Sequence, residues 1–213
     1  MLEICQALIS LGKETALDSA KAVMSHVKDE RFDSQELYGR FLSADVKHLA
    51  AQASAAGVDE EFLGFVVYHS IRPSLYTVAQ RAGASLDNTT LLDEGACPVC
   101  GSPPAISFHE TNGKRTLHCS FCWFAWTARR VFCPFCKNTD SEKLKYFEIE
   151  PEKEYRIDVC DNCNNYIKTV DLKECGRIVY PPLENIASLH LDVKAQELGY
   201  KNDMASRLGD NSD

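Results

Sequence analysis

Four cysteine pairs of the form Cys-x-x-Cys carry the chemistry of this 213-residue chain: Cys97-Pro-Val-Cys100, Cys119-Ser-Phe-Cys122, Cys133-Pro-Phe-Cys136 and Cys160-Asp-Asn-Cys163. Two thiolates on one tight turn can reach the same ion at about 2.3 Å, and two such turns complete a tetrahedral site. Eight cysteines therefore suffice for two four-thiolate sites. Both would be full, with none of the open position that a catalytic metal needs. Four soft sulfur donors suit zinc or iron, and the spacing does not separate the two. A thioredoxin-like redox pair is the rival reading of any one motif. Two tetrads, and the lack of a strand–helix context, argue against it.

The intervening residues decide which pairs combine. Thr111-Asn112-Gly113-Lys114 lies between the strand-like runs Ala105–Glu110 and Arg115–His118, and Asn-Gly there predicts a hairpin in which both central residues take positive φ. That hairpin returns Cys119 and Cys122 to Cys97 and Cys100. In the same way Lys143–Ile149 and Tyr155–Val159 flank a turn at Glu150–Glu154 and bring Cys160 and Cys163 to Cys133 and Cys136. Each second pair is followed by strand-like residues, Trp123–Thr127 and Asn165–Val170. The order knuckle, hairpin, knuckle, strand thus occurs twice, which is the plan of a zinc ribbon or rubredoxin. Gly101 and Asn164 follow their knuckles and adopt left-handed backbone easily. Trp123 and Lys137 do not, so those two knuckles are expected to differ in shape.

The flanking sequence is helical. Leu17, Ala20, Met24 and Val27 recur at helical spacing. Asp33 and Glu36 offer a capping box, followed by an apolar stripe of Leu42, Leu49, Ala53 and Ala56. A further start at Asp59–Glu61 leads to an inner face of Phe62, Phe65, Val66 and His69. Pro73 should kink or split that helix, and Gly83 should stop it. Leu86–Thr90 reads as a linker. After Pro181-Pro182 the helical pattern returns with Ile186, Leu189, Val193 and Leu198, and the tail from Asn202 is polar. The expected fold class is α+β: a helical domain over 1–90, tandem rubredoxin-like four-cysteine ribbons over 96–131 and 132–175, and a C-terminal helix over 183–201 packing on the rest. Cys5 and Cys175 read as small core residues, His69 and His190 as core histidines, and His118 as a neighbour of the first site rather than a ligand. Trp123, Phe124 and Trp126 would pack the two ribbons together.

Charge bounds the partners. The chain carries a formal −8, and no segment is basic; residues 95–175 hold 11 Lys and Arg against 11 Asp and Glu. That balance disfavours nucleic acid. No apolar run approaches the roughly 18 residues of a membrane helix, and no secretion signal is evident, so a cytoplasmic protein without membrane insertion is expected. Ten cysteines there favour metal over disulfides. Neither a phosphate loop nor a Ser/His/Asp or paired-carboxylate arrangement stands out, so the chain does not read as an enzyme. Between the ribbons, Arg129 and Arg130 precede Cys133, and Tyr155 and Arg156 begin the returning strand of the second unit. These four are candidate partner-binding residues, and the three arginines would line a cleft between the ribbons.

The segments Cys97–Pro104, Leu117–Cys122, Arg130–Cys136, Tyr155–Cys163, Tyr166–Asp171, Ala187–Asp192 and Ala195–Tyr200 together resemble the formate dehydrogenase accessory (assembly) proteins. The resemblance implies a helical part joined to two rubredoxin-like metal ribbons. It also implies a cytoplasmic assembly protein that binds the catalytic subunit of formate dehydrogenase during its maturation, with iron associated with the cysteine sites. Family members are usually longer, with more helical sequence before the ribbons. A rubredoxin-like electron-transfer or redox-sensing iron protein is the alternative.

Overall fold

The computed structural model describes residues 1–12, 14–84 and 95–202. The predicted linker at Leu86–Thr90, and the tail beyond Asn202, lie outside the described residues. Among the described residues the chain is α+β, with five helices, six strands in one mixed sheet, and two C-terminal helices. Contacts divide the described residues into two compact units, which meet in sequence between Leu75 and Tyr76.

The first unit holds α1 (Leu2–Ser10), α2 (Glu14–Lys28), α3 (Ser34–Leu42), α4 (Val46–Ala56) and most of α5 (Glu60–Gly83). Its core is Cys5, Ala20, Val23, Phe32, Leu37, Leu49, Ala53, Ala56, Leu63, Val66 and Val67. Asp33 caps α3, its Oδ1 accepting from the backbone N–H groups of Gln35 and Glu36 at 2.9 and 3.0 Å. The Glu36 carboxylate accepts from Arg40. The stripe expected across one helix is broken at Ala44 (φ 57°), where α4 starts afresh under Asp45; Leu42 is exposed as a result. Two further expectations are revised, the split at Pro73 and the inward face of Phe65. Pro73 lies inside α5 without splitting it, since tertiary packing outweighs the one hydrogen bond that proline removes. Phe65 faces outward, and the inner face is Leu63, Val66 and Val67.

The second unit is built on the sheet β3-β2-β1-β6-β5-β4, formed by β1 (Pro104–His109), β2 (Arg115–Cys119), β3 (Ala125–Ala128), β4 (Leu144–Ile149), β5 (Glu152–Cys160) and β6 (Asn165–Asp171). Each ribbon contributes an antiparallel three-stranded half. The halves join through a parallel ladder that pairs Ile106 with Lys168, Phe108 with Val170 and His109 with Asp171. A main-chain seam therefore unites the ribbons, where the sequence suggested aromatic packing. The Asn112-Gly113 turn has positive φ at Gly113 only. Gly113 N–H donates to the Glu110 carbonyl and Glu110 N–H to the Lys114 carbonyl, both at 2.8 Å, which gives a three-residue loop ending in a left-handed glycine. The second hairpin turns at Glu150-Pro151, with a cis peptide bond, so β5 begins at Glu152, earlier than expected.

Side chains alternate across the sheet and give it two unlike faces. Ile106, Phe108, Tyr155, Ile157, Val159, Tyr166 and Val170 form an apolar layer with Leu191 and Ala195. Those two residues belong to α7 (Leu189–Glu197), which follows the short α6 (Pro181–Ala187). The predicted single C-terminal helix is thus two. Its expected buried stripe is turned outward, with Ile186, Leu189, Val193 and Leu198 44–61% exposed. Polar pins hold the covered side. Tyr155 Oη donates to Glu184 (2.6 Å), which also receives Arg177, and the buried Lys168 donates to Asp192 (2.6 Å) and the Asn185 carbonyl (2.7 Å). The opposite face carries Ser107, His109, Arg115, Arg156, Asp158 and Thr169, and the segment joining the ribbons crosses it.

Candidate metal centres

Each cysteine cluster is assembled from one loop knuckle and one knuckle at a strand end. Cys97 and Cys100 precede β1, while Cys119 ends β2. Cys133 and Cys136 lie between β3 and β4, while Cys160 ends β5. The hairpins thus return each strand-end knuckle to its loop partner, in the sequential pairing expected from the turns. The sulfurs of Cys97, Cys100, Cys119 and Cys122 lie within 4.8 Å of one another, as do those of Cys133, Cys136, Cys160 and Cys163. Cys97 Sγ is 3.7 Å from Cys122 Sγ, and Cys100 Sγ is 3.4 Å from Cys119 Sγ. In the second cluster Cys133–Cys163 and Cys136–Cys160 are both 3.7 Å apart. A tetrahedron with metal–sulfur bonds of about 2.3 Å has edges of about 3.8 Å. The sulfurs are therefore spaced for a shared ion, and none of the ten cysteines is in a disulfide.

The four knuckles have one backbone shape. The N–H after each first loop turn closes on its leading cysteine, Gly101 to the Cys97 carbonyl at 2.8 Å and Lys137 to the Cys133 carbonyl at 2.9 Å. The residue after each second cysteine is left-handed in every case: Gly101 (73°), Trp123 (59°), Lys137 (61°) and Asn164 (55°). Trp123 and Lys137 do not make their knuckles different, because turning N–H groups toward sulfur fixes the backbone there whatever the side chain. Phe121 and Cys122 donate backbone N–H to Cys119 Sγ at 3.3 and 3.4 Å.

Four thiols at this spacing cannot all ionise without a cation. Hydrogen bonds from Cys119, Cys122 and Cys97 drive Cys100 far down, and the same contacts push Cys119 far up. In the second cluster burial raises Cys136, but hydrogen bonds led by that of Asn162 (Nδ2–Sγ 3.4 Å) outweigh it and leave the thiol at about 7. A divalent ion would remove this conflict at both sites. The donor set fits zinc and iron alike.

Other residues fall as follows. His118 is outside the first cluster and sits edge-on to Phe108, with ring centroids 4.8 Å apart. Cys5 and Cys175 are buried, as expected. His190 is not a core residue: it is exposed and 2.9 Å from Glu152. His69 is half-buried against Phe65 and Tyr68. Gly95 leads into the first knuckle so close to the third that a Cβ would overlap the Pro134 carbonyl. Of the candidate partner-binding residues, Arg130 and Arg156 line one cleft beside the second cluster, whereas Arg129 is not in its wall. Tyr155 is buried on the opposite face with Glu184. Sequence reasoning missed Arg115 and Asp158, which share the cleft; the two-residue alternation along β5 places Asp158 on the side of Arg156 and was the available signal.

Residues 96–130 match the family description "FdhE, central domain", and residues 131–208 match "FdhE, C-terminal domain". Together they span both clusters and more than half of the chain. The chain belongs to the FdhE family. This is the family of formate dehydrogenase accessory proteins that the sequence resembles. An FdhE homolog from Aquifex aeolicus is 38% identical over 149 residues, covering 68% of this chain and 51% of that protein. FdhE from Escherichia coli K12 is 35% identical over 108 residues, 49% of this chain and 34% of that protein. The chain thus spans about half the length, or less, of these relatives. The crystal structure of FdhE from Pseudomonas aeruginosa shares the fold, with a TM-score of 0.54 at 24% identity over 69% of this chain and 52% of that one. No helix among the described residues is long and apolar enough to cross a membrane.

Proposed function

We propose that this protein is a cytoplasmic, non-enzymatic assembly factor that binds the catalytic subunit of formate dehydrogenase during maturation, with its two-metal module as the binding platform. The continuous FdhE match over residues 96–208, enclosing both cysteine clusters, carries this reading. Cys97, Cys100, Cys119 and Cys122 would hold one ion, and Cys133, Cys136, Cys160 and Cys163 the other, zinc or iron. The ions, when bound, lock the knuckles and neutralise half of the thiolate charge. The chain's own residues do the rest. The β1–β6 ladder fixes the clusters in one rigid sheet, α6 and α7 cover its apolar side, and the polar side is left to meet a client. In the division of the chain that we propose, residues 1–90 form a helical domain, 96–131 and 132–175 are the metal units, and 183–201 are their helical cover. The test is co-purification from the native host. Tagged, metal-loaded protein is expected to retain the formate dehydrogenase catalytic subunit under mild conditions, and repeated failure to do so would defeat the proposal.

A further inference from the structure

The polar face of the sheet contains a cleft of about 370 Å³, at the small end of the range for ligand pockets. Arg115, Arg130, Lys145 and Arg156 reach it, against one carboxylate, Asp158, and the cluster cysteines Cys133 and Cys160. These cations differ in what they are free to do. Arg115 is fully engaged: Nε donates to Ser107 Oγ (2.9 Å) and Nη1 to the Phe132 carbonyl (2.7 Å), which staples the segment between the ribbons onto the sheet. Lys145 is paired with Asp161 at 2.6 Å. Arg156 is held but not exhausted. Its Nε lies 2.9 Å from Asp158 Oδ1, Nη2 donates to His109 Nε2 at 3.2 Å, and its guanidinium lies 4.9 Å from the centre of the Tyr146 ring. Arg130 is exposed, and its side chain makes no hydrogen bond or ion pair among the described residues.

The charge of Cys133 acts on Arg115, but among the described residues neither Arg130 nor Arg156 donates to a cluster sulfur. The side chains that donate to the sulfurs of the second cluster are amides, Asn162 to Cys136 and Asn138 to Cys160. Much of the remaining wall is apolar, including Val131, Phe132, Pro134 and Tyr146. A free inorganic anion has no use for such a wall, whereas a peptide with acidic and apolar residues does. We propose that the cleft receives an Asp or Glu side chain from an acidic segment of a partner protein, with Arg156 as the fixed fork and Arg130 as the free one. This deepens the partner-binding reading above and rests on it.

The experiment uses the full, metal-loaded chain and a fluorescein-labelled six-residue peptide alternating leucine and glutamate, read by anisotropy. The peptide is expected to bind at least tenfold more tightly than its glutamine analogue. Arg130→Ala should weaken binding at least tenfold and Arg130→Lys less so, while Lys114→Ala, outside the cleft, leaves it unchanged. Metal content and near-ultraviolet circular dichroism should stay as in the parent. Equal binding of the glutamine peptide, no binding, or insensitivity to Arg130→Ala would overturn the proposal. So would displacement of the peptide by equimolar inorganic phosphate, which would make the cleft a simple oxyanion site. Failure of the peptide leaves co-purification of the catalytic subunit untouched, and failed co-purification with intact peptide binding would remove only the formate dehydrogenase reading.

Discussion

His109 shows how much one residue can depend on its surroundings. It is 2% exposed on β1, and burial, reinforced by the positive charge of Arg156, pushes its pKa from 6.5 down to about 4. The hydrogen bond from Arg156 to Nε2 also requires that nitrogen to be unprotonated. Between pH 6.5 and 4 the unfolded chain therefore binds a proton that the folded chain refuses. Stability falls as pH is lowered through that window and levels off below it, by roughly 3 kcal/mol for a shift of this size. Urea denaturation of the parent and of His109→Gln across pH 7.5 to 4.5 checks this, because loss of metal in acid is common to both proteins. Parallel pH profiles would show that the histidine titrates freely. The same lesson holds at Trp123 and Lys137, where left-handed backbone costs of order 1 kcal/mol each and is imposed by the knuckle. Local preference at those positions was a poor guide because the need for N–H groups at sulfur lies outside the residue.

At the scale of elements, the hairpins and knuckles were legible because each is fixed by residues close in sequence. The Asn-Gly turn announced the first hairpin, and four Cys-x-x-Cys motifs announced the knuckles. The seam between β1 and β6 was not legible. Its paired residues, such as Ile106 and Lys168, are about sixty positions apart, and parallel pairing leaves no turn as a marker. The C-terminal helices misled for another reason. Their most apolar row is the outer one, while the inner row is completed by Asp192 and Glu184, whose buried partners Lys168 and Tyr155 are on the sheet. These polar pins predict an asymmetry. Lys168→Met should destabilise the second unit by about 2–4 kcal/mol, because it leaves Asp192 without its cation. Adding Asp192→Asn, which can still accept from Tyr166, should restore much of the loss. Chemical denaturation of the two variants measures it, and additive losses in the double variant would contradict the pairing.

For the whole molecule, a sequence of two tandem ribbons predicts independent metal sites, each unfolding alone. The single six-stranded sheet predicts coupling. Cys97→Ser should disorder β1 and strip β6 of its parallel partner, so metal affinity at the second cluster should fall about tenfold, near 1.4 kcal/mol. Residues 1–75 have their own core and should remain helical. Competition with a chromogenic chelator, with circular dichroism beside it, reads both effects. An unchanged second site would mean that the seam carries no energy between the ribbons. The same sheet explains why the candidate cleft was only half visible from the sequence. Arg130 is legible from its place before Cys133 and Arg156 from its place at the start of the returning strand, but only the strand order brings Arg115 and Asp158 beside them.

The strand order also has a consequence in time. All six residues of β1 are buried in the finished sheet, yet the strand that covers its open edge is the last of the six to leave the ribosome. At translation rates of roughly 5–20 residues per second, that edge waits several seconds for its partner. An uncovered apolar edge is a template for pairing with another chain. Newborn copies made close together on one messenger are therefore at greatest risk of joining through β1, and less frequent initiation, which spaces the copies apart, should raise the yield of soluble protein.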